Sequence, residues 1–170
     1  MASAVIVSVL TWLHIFSVVG WFGAAMVFLM VIEPSLSRLS PQTNAELILQ
    51  VFPRFVRFIQ VFATLTLLSG VFLALSITGG STARFGLGSV WGLYVSLGAF
   101  FGVVTFLLVF FLLAPSVKRL GRLVIHIQEN PGHPPPPEVR RVQERLKRGA
   151  PAAVILLSLA MVFMVAAAGV

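Results

Sequence analysis

Residues 5–32 read VIVSVLTWLHIFSVVGWFGAAMVFLMVI, 28 consecutive positions with no charged side chain and a single ionisable group, His14. An α-helix rises about 1.5 Å per residue, and roughly 20 apolar residues carry it through the hydrocarbon layer of a bilayer. The run from Val5 to Ile32 therefore predicts a membrane span. Further apolar runs predict spans from Phe55 to Ile77, Val90 to Leu113 and Ala150 to Gly169. The expected fold is all-α: an integral membrane bundle of four transmembrane helices, one domain over residues 1–170. A soluble domain carries about a quarter charged residues. Here 10% are charged and 58% hydrophobic, which excludes one.

The punctuation between the runs is readable. Glu33-Pro34-Ser35 is expected to end the first span, because proline disfavours helix in the residue before it. Ser40-Pro41 reads as an N-cap with proline at the first helical position, opening a helical stretch from Gln42 to Phe52 that leads to Pro53. Thr78 through Ser89 is a Gly/Ser-rich loop. The one sizeable polar region is Ser116 to Gly149. Its first part places Leu120, Leu123, Val124 and Ile127 at i, i+3, i+4 and i+7, an amphipathic continuation of span three. Asn130-Pro131-Gly132-His133 and Pro134 to Pro137 break that helix, and the prolines are expected in polyproline II conformation. From Glu138 to Arg148 a stripe of Val139, Val142 and Leu146 returns, with Glu144 and Arg148 spaced to pair. The whole excursion reads as a solvated topological loop or as a structured element at the membrane surface.

Charge sets the expected orientation. Arg38, Arg54 and Arg57 fall in the first link and eight Lys/Arg in the second, against Arg84 alone in the loop between spans two and three. The positive-inside rule then puts both basic links in the cytoplasm and the N- and C-termini outside. No signal peptide is expected, since the start is not cationic and the first run is too long. The net charge of +7 is distributed around spans, which points to the lipid bilayer as partner and not to nucleic acid. The absence of cysteine excludes disulfides, Fe–S clusters and thiolate metal sites. Pro34-Ser35-Leu36-Ser37-Arg38-Leu39 has an echo in Pro115-Ser116-Val117-Lys118-Arg119-Leu120, and Pro53 is answered by Pro151. These echoes suggest a parallel two-plus-two repeat, although apolar helices resemble one another by chance.

His14 is the candidate site, because an ionisable side chain inside a membrane helix is costly. With span one centred near Val18, it sits roughly 6 Å outward of the midplane. Met164 falls at a similar depth on span four and Met161 one turn inward; Ser69, Tyr94 and Ser96 share the outer half. Imidazole plus thioether suits a haem iron or a cuprous ion. The alternative is that His14 hydrogen-bonds a neighbouring hydroxyl or carbonyl and the methionines are apolar filler. Glu33 is expected to pair with Arg54 or Arg57. Gly98 with Gly102, and Gly20 with Ala24, permit close helix approach. The spans hold no nucleophile, carboxylate pair or nucleotide motif, so a non-catalytic role is expected over an enzyme.

Leu13-His14, six residues, then Trp21-Phe22-Gly23 and a later Pro34 resemble the first helix of CopD-like copper-resistance membrane proteins. The same Leu-His…Trp core is similar to that of HemJ-type protoporphyrinogen oxidases, in which the matching histidine is taken to bind haem. The basic, proline-containing linker also looks like that of small relatives of the CopD group. The resemblance implies a polytopic protein of a prokaryotic plasma membrane that binds haem b or copper through His14. Both families tend to carry a lysine near the start of the third span, where this chain reads Trp91-Gly92-Leu93-Tyr94-Val95-Ser96. That departure argues against oxidase activity. A homodimer would pair the single histidine. A role as accessory subunit of a larger membrane complex is the competing expectation.

Overall fold

In a computed structural model, residues 4–81 and 88–170 are described. Lead-in residues 1–3 and the centre of the Gly/Ser-rich loop, with Arg84, lie outside them. The described residues form four long helices and no strand: α1 (Ala4–Leu36), α2 (Pro41–Thr78), α3 (Val90–Glu129) and α4 (Pro137–Ala168). Each is long and apolar enough to cross a membrane, so the chain is an all-α integral membrane bundle.

The helices run further than their prolines suggest. Pro34 does not end α1, and Pro53 does not interrupt α2. In three places the residue before a proline donates its N–H five residues back: Glu33 to the Phe28 carbonyl, Phe52 to Leu47 and Ala114 to Val109. Each widened π turn gives the following Pro34, Pro53 or Pro115 ring room against the preceding turn, where an α-helical register would clash. In α4 the helix passes through Pro151 without such a turn; Pro151 has no N–H to offer the carbonyl of Lys147 four residues back, and Lys147 is exposed. The starts and stops follow local chemistry. Ser40 Oγ accepts from the Thr43 amide at 3.2 Å to open α2, Ser89 Oγ accepts from Gly92 at 3.0 Å to open α3, and Gly79, at φ +62°, closes α2.

The bundle is two helix pairs: α1 packs chiefly along α2, and α3 along α4. Rings fill the first interface, with Phe62 5.8 Å from Phe16 and 4.4 Å from Phe58, and Phe28 5.7 Å from both Phe52 and Phe55. In the second, Phe163 stacks on Phe101 at 5.8 Å and tilts against Tyr94 at 6.3 Å. The pairs meet where Trp21, Ala63 and Leu157 are buried, wrapped by Phe106 and Phe110 of α3. Much of the remaining apolar surface, including Trp12, Phe16, Phe100 and Phe111, is exposed. In a membrane protein that surface faces lipid.

The polar excursion is a structured hairpin. The amphipathic end of α3 packs on α4, and Val117, Leu120 and Val142 are all buried. Arg119 donates to Glu138 at 2.9 Å across the Pro134–Pro136 turn. Two expected ion pairs are not found. Glu144 takes Arg140 at 2.9 Å, one turn before it, and not Arg148. Glu33 forms no ion pair among the described residues, and Arg54 donates to the Gln50 carbonyl at 3.2 Å.

Candidate functional site: an intramembrane imidazole on a glycine step

His14 lies on the face of α1 turned to α2, where the sequence Thr66-Leu67-Leu68-Ser69-Gly70 supplies a small polar step in an otherwise apolar helix. Gly70 makes the approach possible. A Cβ there would lie 2.9 Å from His14 Cε1 and 3.2 Å from Nδ1, so the edge of the ring occupies the space a side chain would fill. Nδ1 is 3.0 Å from the Thr66 carbonyl oxygen and 3.3 Å from Ser69 Oγ. A carbonyl only accepts, so Nδ1 carries the proton and donates. Ser69 spends its own proton on the Leu65 carbonyl at 2.6 Å and is free to accept weakly from His14.

The consequence is a fixed tautomer. With Nδ1 protonated, the neutral ring keeps a lone pair on Nε2, and Nε2 makes no hydrogen bond among the described residues. The other polar groups around it are self-contained. Ser17 Oγ donates to the His14 carbonyl at 2.9 Å and Thr66 Oγ1 to the Phe62 carbonyl at 2.8 Å, so neither competes for the ring. Such back-bonding is how hydroxyls live inside an apolar span.

Met164 packs on another helix. Met164 fits against Gly98 of α3, where an added Cβ would lie 2.9 Å from its Cε, and so packs within the second helix pair. Met161, one turn before it, is half-buried on the same helix. His14 is engaged by α2 and Met164 by α3. Of the other outer-half residues, Ser69 is brought to His14 by a hydrogen bond, while Tyr94 tilts against Phe163. Trp21, two turns along from His14, is 1% exposed and sits at the centre of the bundle core. Among the described residues no three His, Cys, Asp or Glu side chains group as for a metal ion.

Two further groups emerged only with the fold: the Thr66 backbone carbonyl and Gly70. Their signal in the sequence is a hydroxyl, a second hydroxyl three residues on and a glycine inside one apolar span. The small-residue pairs act within the chain. Gly20 receives the Phe62 ring, Gly98 receives Met164, and Gly102 lies 3.9 Å from Leu67 Cδ2 of α2, measured from an added Cβ.

Haem or copper can be tested against this geometry. The donor fits either: one imidazole nitrogen is held with its lone pair unused. The room is another matter. An apolar cavity of about 70 Å³ lies between the four helices around Trp21, Phe28, Thr105 and Leu157, well below the roughly 300–1,000 Å³ of cofactor pockets. Neither it nor a second cavity at the basic end counts His14 among its walls. Neither of these two cavities, formed among the described residues, therefore encloses a group held on His14. Comparison of the chain with family models, with curated proteins and with solved structures returns no match in any of the three.

Proposed function

We propose that the chain is a CopD-like membrane protein that presents His14 Nε2 as a ligand to haem b or, failing that, to a copper ion, with a second chain completing the site. One observation carries this reading: the hydrogen bond from His14 Nδ1–H to the Thr66 carbonyl. Metal-binding histidines commonly hold their other ring N–H on a carbonyl or carboxylate, which sets the tautomer and aims the donor. A histidine kept only for packing would gain the same bond, but would leave its second nitrogen unpaired in apolar surroundings at a cost. Because neither of the two cavities takes in His14, a homodimer with one His14 from each copy supplies two imidazoles and covers both faces of the group.

The distribution of charge supports the orientation proposed with it. The basic links lie at one end of the bundle, so that end is cytoplasmic and both termini are outside. The natural lack of cysteine makes this easy to check, with Ser37→Cys accessible to impermeant thiol reagents only after the membrane is opened.

The deciding experiment is an optical spectrum with elemental analysis of purified protein from cells supplied with iron and copper. A Soret band, or copper without one, that disappears in His14→Ala supports the site. Colourless, metal-free protein overturns it. An accessory role is favoured by one specific feature, the exposed α1 face on which Trp12 and Phe16 stack at 5.2 Å. Larger subunits co-purifying in mild detergent with metal-free protein would support that reading instead.

A further inference from the structure

The basic end of the bundle carries a groove that does not depend on His14. The apolar part of α3, Val90 to Leu113, is 24 residues long. At about 1.5 Å per residue it spans roughly 36 Å, enough for a hydrocarbon layer of about 30 Å. Lys118 and Arg122, five and nine residues further on, therefore stand outside the hydrocarbon layer, on its headgroup side, within reach of headgroups through their long side chains. The first part of α2 crosses α3 at this level, with Leu49 over Gly121, where an added Cβ would lie 3.8 Å from Leu49 Cδ2. Between the helices lies a groove of about 380 Å³. Ile48, Leu49, Val117 and Ile125 give it apolar walls, and Lys118 and Arg122 line it with charge.

The two cations are available. They are spaced i, i+4, so they share one side of α3, and both are exposed. Arg119, between them, is taken by Glu138, and Glu144 is taken by Arg140. Glu46, the acid nearest in sequence on the α2 side, accepts from Gln42 at 3.5 Å. Neither Lys118 nor Arg122 has a carboxylate within ion-pair distance among the described residues. Val117 is also a wall of the largely apolar cavity between the four helices. A charged rim and an oily interior thus adjoin at one residue.

We infer that this groove binds an anionic phospholipid, its phosphate held by Lys118 and Arg122 and its chain lying over Leu49 and Val117. A free inorganic anion would use the cations and leave the apolar walls bare; an amphiphile at headgroup depth uses both. Basic pockets between membrane helices take lipid headgroups in this way. Bound lipid would tie the start of α2 to the extension of α3.

Native mass spectrometry of the full-length protein tests this with phosphatidylglycerol, phosphatidylcholine and inorganic phosphate as probes. Phosphatidylglycerol should be retained in preference to phosphatidylcholine, and millimolar phosphate should not displace it. Each cation near the surface contributes about a factor of five, so Lys118→Gln with Arg122→Gln should weaken retention roughly 30-fold. Arg54→Gln with Arg57→Gln, exposed cations at the same end that do not line the groove, should leave it unchanged. Gly121→Leu fills the groove while keeping both cations and should also abolish retention, which covers the case of a double variant that does not fold. Equal loss in the two double variants, equal retention of phosphatidylcholine, or displacement by phosphate would each overturn the assignment.

Discussion

The two helix pairs solve one packing problem with different chemistry. In the first, a side chain of α1 settles on a glycine of α2; in the second, a side chain of α4 settles on a glycine of α3. The first side chain is an imidazole tied down by a carbonyl and a hydroxyl, and the second is a thioether held by shape alone. Both pairs also keep a π turn before a proline, at Pro34 and at Pro115. The difference teaches that His14 is not needed to make such a contact close. A flexible apolar chain does it at Gly98 without a buried nitrogen to satisfy, which fits the proposed role of the imidazole as a donor.

The comparison can be broken most severely at His14 itself. His14→Ala should abolish the bound chromophore or metal while the bundle still forms, read as absorbance against an unchanged gel-filtration profile. Gly70→Ala comes next. Its Cβ would meet the outer edge of the ring, which can swing away, so the fold survives but Nδ1 leaves the Thr66 carbonyl. Loss of such an outer hydrogen bond costs about 10–100-fold in metal affinity, measurable by titration. Affinity equal to that of the unaltered protein would show that the glycine step does not aim the ligand.

Gly20→Ala sharpens the contrast on stability. The new methyl would collide with Phe62, whose ring is itself packed by Phe16 and Phe58, and overpacking of this kind costs about 1–3 kcal/mol. Gly102→Ala meets nothing closer than 3.9 Å and should be neutral, or stabilising by up to about 1 kcal/mol through helix propensity. Thermal unfolding in detergent separates the two. The smallest effect is expected at Met164→Leu, a volume-conserving exchange costing under about 1.5 kcal/mol, with the spectrum of the His14 site unchanged. A shifted spectrum would make Met164 a ligand after all.

Much of this is legible in the sequence. The spans are long apolar runs, and the end cap at Ser40 and the helix break before Pro137 follow from local chemistry, although Pro137, expected in the extended stretch, opens α4. The prolines were harder. Read locally, Pro34 and Pro53 stop a helix; in the fold each follows a widened turn within one continuous helix, because the packed bundle holds both sides in line. Glu144 has cationic neighbours both four residues before and four after, and spacing alone does not choose between Arg140 and Arg148.

The site divides the same way. That an ionisable ring lies in oil, at a given depth on the first helix, is a matter of counting residues, as is the excess of cations at one end. Which helix the ring meets, which nitrogen it spends and which it keeps depend on Thr66 and Gly70, more than fifty positions away in the chain. Hydrophobicity is nondirectional and acts on each segment by itself, so it is written in the sequence one helix at a time. A hydrogen bond needs its partner at 3.0 Å, and only the packing of α1 on α2 brings it there.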